Sequence, residues 1–441
     1  MRPFAVICLV LTVALPGLAI AENADRYRLE PGHMLTFESS TTSSGAHSMR
    51  LDSKHVVYVL DQTQDDAWWV MVVNERSYNQ GPASVDADFC TIYADGRIEG
   101  GSVRSRPYFL FPLLPDVGEN DWEEEQALGT VAHYERRESE PGALVFSARN
   151  ESPTDGVYDV SSETVYRFDR GLGLIMSAEG ESRQGYPRET LSTTRLAFAG
   201  LAMVAPDRLV TMREDAKRLA EFKTQAQALI DEAHGERQVV EEVSSTLDAL
   251  IAETAGGFSP GPIAEQFEQA RQQYASWRDY AIENAERQSA FLDKPAADWT
   301  LDDLSGQPHR LADYRGRVVV LDFWYRGCGW CIYAMPQINE LAEAYAEQPV
   351  AVLGMNKDLQ LDDALLVEEQ MQLAYPSLQI NQQAGLPEKY GVRGYPTLVI
   401  IDQDGVVREY HVGYAPDLFE QVSATIDRLL GESAGSAPDP A

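Results

Sequence analysis

The stretch VVVLDFWYRGCGWCIYAMPQI, residues 318–338, sets two cysteines three positions apart directly behind a run of valines. The chain has four cysteines in 441 residues, so a close pair calls for a reason. A short, continuous apolar run of this kind reads as a strand buried on both faces. A helix is expected to begin near Cys331, so the pair falls where a strand gives way to a helix. The thiolate, not the thiol, attacks a disulfide, and unpaired amides at a helix N-terminus favour the anion on the first sulfur. The spacing therefore predicts Cys328 as the nucleophile. Cys331, one turn on and less exposed, is placed to break a mixed disulfide by attacking Cys328 within the molecule.

Other uses of such a pair fail for want of partners. A structural zinc site needs four ligands. No second Cys-x-x-Cys exists, and His309, the nearest upstream histidine, has no partner at ligand spacing. Covalent haem attachment needs histidine at position 332, where Ile332 stands. No metal and no other cofactor is expected.

Downstream, apolar strands alternate with helical patterns: VAVLGMN, DDALLVEEQMQL, TLVIID, VVREYHVGY and PDLFEQVSATIDRLL. That order predicts a parallel sheet covered on both faces, with an antiparallel hairpin at Asp404-Gly405 on one edge. Upstream the character changes twice. Residues 22–202 hold short apolar and aromatic runs between turn residues, which predicts an all-β domain, a sandwich or a curved antiparallel sheet. Within it RPYFLFPLLPD, residues 106–116, reads as a buried loop crossing the domain, and Cys90 as a small buried strand residue. In residues 203–291, apolar residues recur at three- and four-residue steps, among them Leu209, Met212, Ala216, Leu219, Phe222, Ala226 and Leu229. Gly and Pro punctuation divides this into three helices with coiled-coil-like seams, either a spacer between two domains or a homodimer contact.

The termini and the charge narrow the setting. Arg2, an apolar run from Phe4 to Leu15, and Ala19-Ile20-Ala21 form a secretory signal over residues 1–21, which would carry Cys8 away. Cys90, Cys328 and Cys331 remain, an odd number that rules out a disulfide framework. No later segment has about 18 uncharged apolar residues, so the mature chain is expected to have no transmembrane span. A formal charge of -33 repels nucleic acid, and no nucleic-acid partner is expected. Residues 432–441 lack apolar groups and are expected to be a disordered tail.

Residues 292–430 resemble the TlpA/ResA-like branch of the thioredoxin fold, the extracytoplasmic thiol-disulfide oxidoreductases. The resemblance rests on the lead-in from Leu292, the Cys-Gly-Trp-Cys dithiol, Met335-Pro336, VLGMNKD and VRGYPTLVIIDQDG. It implies a C-terminal α/β thioredoxin fold over 292–431, with protein thiols or disulfides and an upstream redox partner as the counterparts. It also implies that Pro396 forms the cis-proline loop and that Tyr395 offers its backbone to a substrate peptide. Asp322 matches the buried acid that exchanges a proton with the resolving thiol. Trp330 is expected as an exposed aromatic rim for a partner. The chain departs from its relatives at Gly327, where tryptophan is common, and at Ala334, where ResA-like proteins carry an acid. Tyr325 stands where peroxiredoxins place threonine, which disfavours peroxide chemistry.

The expected protein is a periplasmic or secreted oxidoreductase. The alternative is an envelope-organising protein whose β and helical regions do the main work. Direction of electron flow stays open, because related dithiols span about -120 to -270 mV.

Overall fold

The computed structural model describes residues 25–44, 48–64, 66–101, 106–137, 140–152, 154–186, 189–232, 237–383 and 385–435. The expected signal at 1–21 lies outside these residues.

Eleven strands between His33 and Met203 form one antiparallel sheet rather than a sandwich. The first, His33–Ser44, lies in the interior of the sheet, paired with Met49–Gln64 on one side and with the last, Thr190–Met203, which is the central strand, on the other. The remaining strands meander outward from these to both edges, and one long connection carries the chain from the edge strand Ile98–Glu99 to the opposite edge strand Asp121–Glu125. Alternation along each strand gives the sheet two different faces. One buries Leu35, Phe37, Val57, Val70, Phe146 and Phe168, and the 106–116 loop crosses it with Leu110, Phe111 and Leu114 inside. Tyr27 fixes that loop by stacking edge-on to Phe111 and donating its hydroxyl to the Pro112 carbonyl at 2.9 Å. Cys90 is buried in the same cluster.

The other face carries Leu60, Met71, Ala87 and Phe89, and three helices cover it: Pro206–Glu232, Arg237–Thr254 and Pro262–Ser289. The seam residues Met212, Ala216, Leu219, Phe222 and Ala226 close on this face and on Phe267 and Ala270 of the third helix. The helical region is therefore not a free spacer. Its apolar stripe is consumed within the chain, since a three-helix layer with an open sheet beside it buries more surface there than helices paired alone.

The C-terminal part holds a five-stranded sheet in the order Ser377–Gln379, Val350–Asn356, Val318–Trp324, Thr397–Ile401, Val407–Val412. The first three strands are parallel and the last two antiparallel, with the hairpin at the expected edge. Val318–Trp324 is buried at every position because helices or loops cover both faces. Val318 and Val320 pack under the helices Gly329–Ala344 and Leu418–Gly435, whereas Val319, Leu321 and Phe323 face Trp299, Leu311 and Tyr390. The last helix runs to Gly435, past the expected boundary at 431, and residues 436–441 lie outside the described ones.

Candidate active site

Cys328 is the N-cap of the helix Gly329–Ala344, and the sheet's central strand ends four residues before it. Its sulfur accepts the amide N–H of Cys331 at 3.2 Å. The same N–H also donates to the Cys328 carbonyl at 3.0 Å, so a first-turn amide of the helix is shared between that carbonyl and the first sulfur, where an anion would be held best. Cys328 and Cys331 are joined as a disulfide, with Cα atoms 5.2 Å apart. Cys331 is 1% exposed and Cys328 7%. Both sit in a small apolar cluster with Trp324, Ile332, Met335, Ala364 and Val367.

Strand alternation puts Asp322 on the same face as Val318, Val320 and Trp324, the face that the dithiol helix covers. The carboxyl is 1% exposed. One oxygen accepts the Tyr375 hydroxyl at 3.1 Å and the other has no hydrogen-bond partner among the described residues. Burial, only partly offset by Tyr375, raises its pKa to about 7. A carboxyl in that state exchanges a proton near neutrality.

The Tyr395-Pro396 bond is cis. The Tyr395 ring meets Tyr325 edge-on at 5.4 Å, and the Lys357 ammonium lies over both rings, 3.9 Å from the centroid of Tyr395 and 4.4 Å from that of Tyr325. Burial lowers the Lys357 pKa, against the pull of Asp358. Trp330 is not the open rim expected. It is half-buried, stacked on Tyr414 at 5.4 Å and tilted against Tyr333.

Sequence reasoning missed Arg326, Lys357, Val157, Tyr158 and Tyr186. Arg326 and Lys357 stand in or beside quoted motifs, but their partners come from remote segments. Val157, Tyr158 and Tyr186 belong to the N-terminal sheet region, and no local pattern marks them.

This sheet order, with a dithiol at the head of the first helix and a cis-proline loop, defines a thioredoxin-fold thiol-disulfide protein. Comparison with known proteins agrees. The AhpC/TSA family matches residues 292–410. The chain is 31% identical over 147 residues to the thioredoxin-like protein YneN of Bacillus subtilis, covering 32% of this chain and 82% of that one. It is 35% identical over 113 residues to the thiol-disulfide oxidoreductase ResA of Geobacillus thermodenitrificans, covering 26% of this chain and 64% of that one. A solved structure, a putative thiol:disulfide interchange protein DsbE from Chlorobium tepidum, aligns at 33% identity over 32% of this chain and 99% of its own, with a TM-score of 0.30. The C-terminal part of the chain belongs to the thioredoxin-like family. The chain spans less than two thirds of the length of the ResA relatives it matches. Among the described residues, no helix is long and apolar enough to cross a membrane.

Proposed function

We propose that the chain is an extracytoplasmic thiol-disulfide oxidoreductase that exchanges the Cys328/Cys331 pair with protein thiols or disulfides. The observation that carries this is the Cys331 amide donating to the Cys328 sulfur at the start of a helix. In the reducing direction, the Cys328 thiolate attacks one sulfur of a substrate disulfide and the other leaves as a thiolate. Cys331, giving up its proton, then attacks the Cys328 sulfur, closes the 328–331 disulfide and releases the second substrate thiolate. The opposite direction runs the same steps backward, with two electrons passing to the protein. Asp322 is the acceptor and donor for the Cys331 proton. The Tyr395 backbone at the cis-proline and the Trp330–Tyr414 stack are the proposed substrate contacts. Tyr325 in place of a peroxide-binding threonine favours disulfide over peroxide substrates.

In this reading residues 1–21 direct export, and the chain divides into a β region 22–202, a helical region 203–291, the thioredoxin-like domain 292–431 and a tail. A homodimer through the helical region would use the outer surfaces of the helices, because their inner seam is filled. The test is turnover of an insulin disulfide under a fixed reductant. Wild type should be active and Cys328→Ser inactive; equal rates would remove Cys328 from its role.

A second reading has one observation in its favour. An open groove of about 1540 Å³ lies on the N-terminal sheet, lined by Arg137, Arg167 and Arg195 among Glu38, Glu163 and Glu179. If binding there were the main task, a Cys328→Ser/Cys331→Ser double variant would keep the wild-type cellular phenotype.

A further inference from the structure

A nucleophilic sulfur must be reached by its substrate, yet Cys328 is nearly buried, and part of its cover comes from the N-terminal sheet region. Between the strands Ala143–Glu151 and Val160–Asp169 the chain leaves the sheet, and the one-turn segment Asp155–Tyr158 packs against the helix Leu361–Met371. Val157 is fully buried in the same cluster as Cys328, Cys331 and Met335. The Tyr158 hydroxyl lies 3.9 Å from where a Cβ on Gly329 would stand. The Tyr158 carbonyl accepts the amide of Tyr186, which ties a second sheet loop to the first.

Arg326, two residues before Cys328, fastens this cover. Its Nε and Nη2 donate to the Val157 carbonyl at 3.0 and 2.6 Å, its Nη1 pairs with Asp363 at 2.8 Å, and its guanidinium lies 3.6 Å from the centroid of the Tyr186 ring. Closure also leaves a polar group unsatisfied, since the buried Tyr158 hydroxyl has no hydrogen-bond partner among the described residues. Opening would return that hydroxyl to water, so the closed state carries a built-in cost.

We propose that residues 154–158 and Tyr186 form a lid over the dithiol, latched by Arg326, that a protein substrate must displace before its sulfur reaches Cys328. This rests on the exchange reading above. The lid would let flexible segments in and turn folded surfaces away.

The test uses the full chain, reduced and freed of reductant. Cys328 is alkylated in parallel by iodoacetamide and by a maleimide carrying a polyethylene glycol chain, and the Cys328 peptide is followed by mass spectrometry. The ratio of bulky to small rates cancels any change in the thiolate itself. In wild type the bulky probe should lag, when each rate is set against the same probe's rate on a free cysteine peptide. Arg326→Met or Tyr186→Ala should raise the ratio about tenfold, the change expected for losing a charge-assisted hydrogen-bond pair or a cation–π contact. A wild-type ratio equal to that of the free peptide overturns the lid and leaves the exchange reading standing, and this comparison needs no variant to fold. Cys328 inert to both probes in the folded chain, though reactive after unfolding, would instead overturn the exchange reading itself.

Discussion

Asp322 is a carboxylic acid sealed under the dithiol helix, half satisfied by Tyr375 and titrating near pH 7. Its folded pKa is raised above the unfolded value of 3.8, so its contribution to stability is fully present below about pH 4 and is lost as pH rises through 7. That shift corresponds to about 4 kcal/mol across the window. Asp322→Asn should therefore gain stability relative to wild type between pH 5 and pH 8, by about 3 kcal/mol since part of the window lies below pH 5, in urea unfolding at each pH. A difference independent of pH would mean that the acid is not sealed. The cysteines make a separate prediction. Cys331→Ser should accumulate a mixed disulfide with a protein substrate, visible on a non-reducing gel, and Cys328→Ser should not. Cys328 and Cys331 were legible because their spacing and the strand before them carry the chemistry locally. Asp322 came through resemblance alone, since nothing local announces its burial. Trp330 was misread as open because its cover, Tyr414, arrives from beyond the last strand.

The C-terminal sheet could be read strand by strand, because strands buried on both faces and alternating helices leave an unambiguous apolar pattern. The helical region could be read as helices but not placed. A stripe such as Met212, Ala216, Leu219 and Phe222 says that something apolar covers it and not what. Here the cover is the sheet face of Leu60, Met71 and Phe89 together with Phe267. Phe222→Ala should then cost about 3–5 kcal/mol. The loss should appear in the unfolding of sheet and helices together, followed by near-ultraviolet circular dichroism of the sheet's tryptophans alongside far-ultraviolet helicity. Loss of helicity with the tryptophan signal unmoved would mean that the helices stand apart from the sheet. The same limit applies to the single sheet itself, since alternation along each strand is equally compatible with two packed sheets.

Across the whole molecule the charge of -33 acts on everything at once. Self-repulsion of that size destabilises a compact chain and is screened by salt, so the melting temperature should rise with added sodium chloride in calorimetry. A flat response would mean that ion pairs such as Arg326–Asp363 already balance the field locally. The charge was open to reading from composition. The meeting of Val157 and Tyr158 with the dithiol was not, because it joins segments far apart in sequence through the backbone carbonyl of Val157, which any residue would supply. The whole functional reading depends on the state of one sulfur at the head of one helix. The pH dependence of Cys328 alkylation by iodoacetamide in the reduced full chain reports that state directly. A midpoint well below the ordinary cysteine value of about 8.5 is expected; a midpoint at or above it would contradict the role given to Cys328.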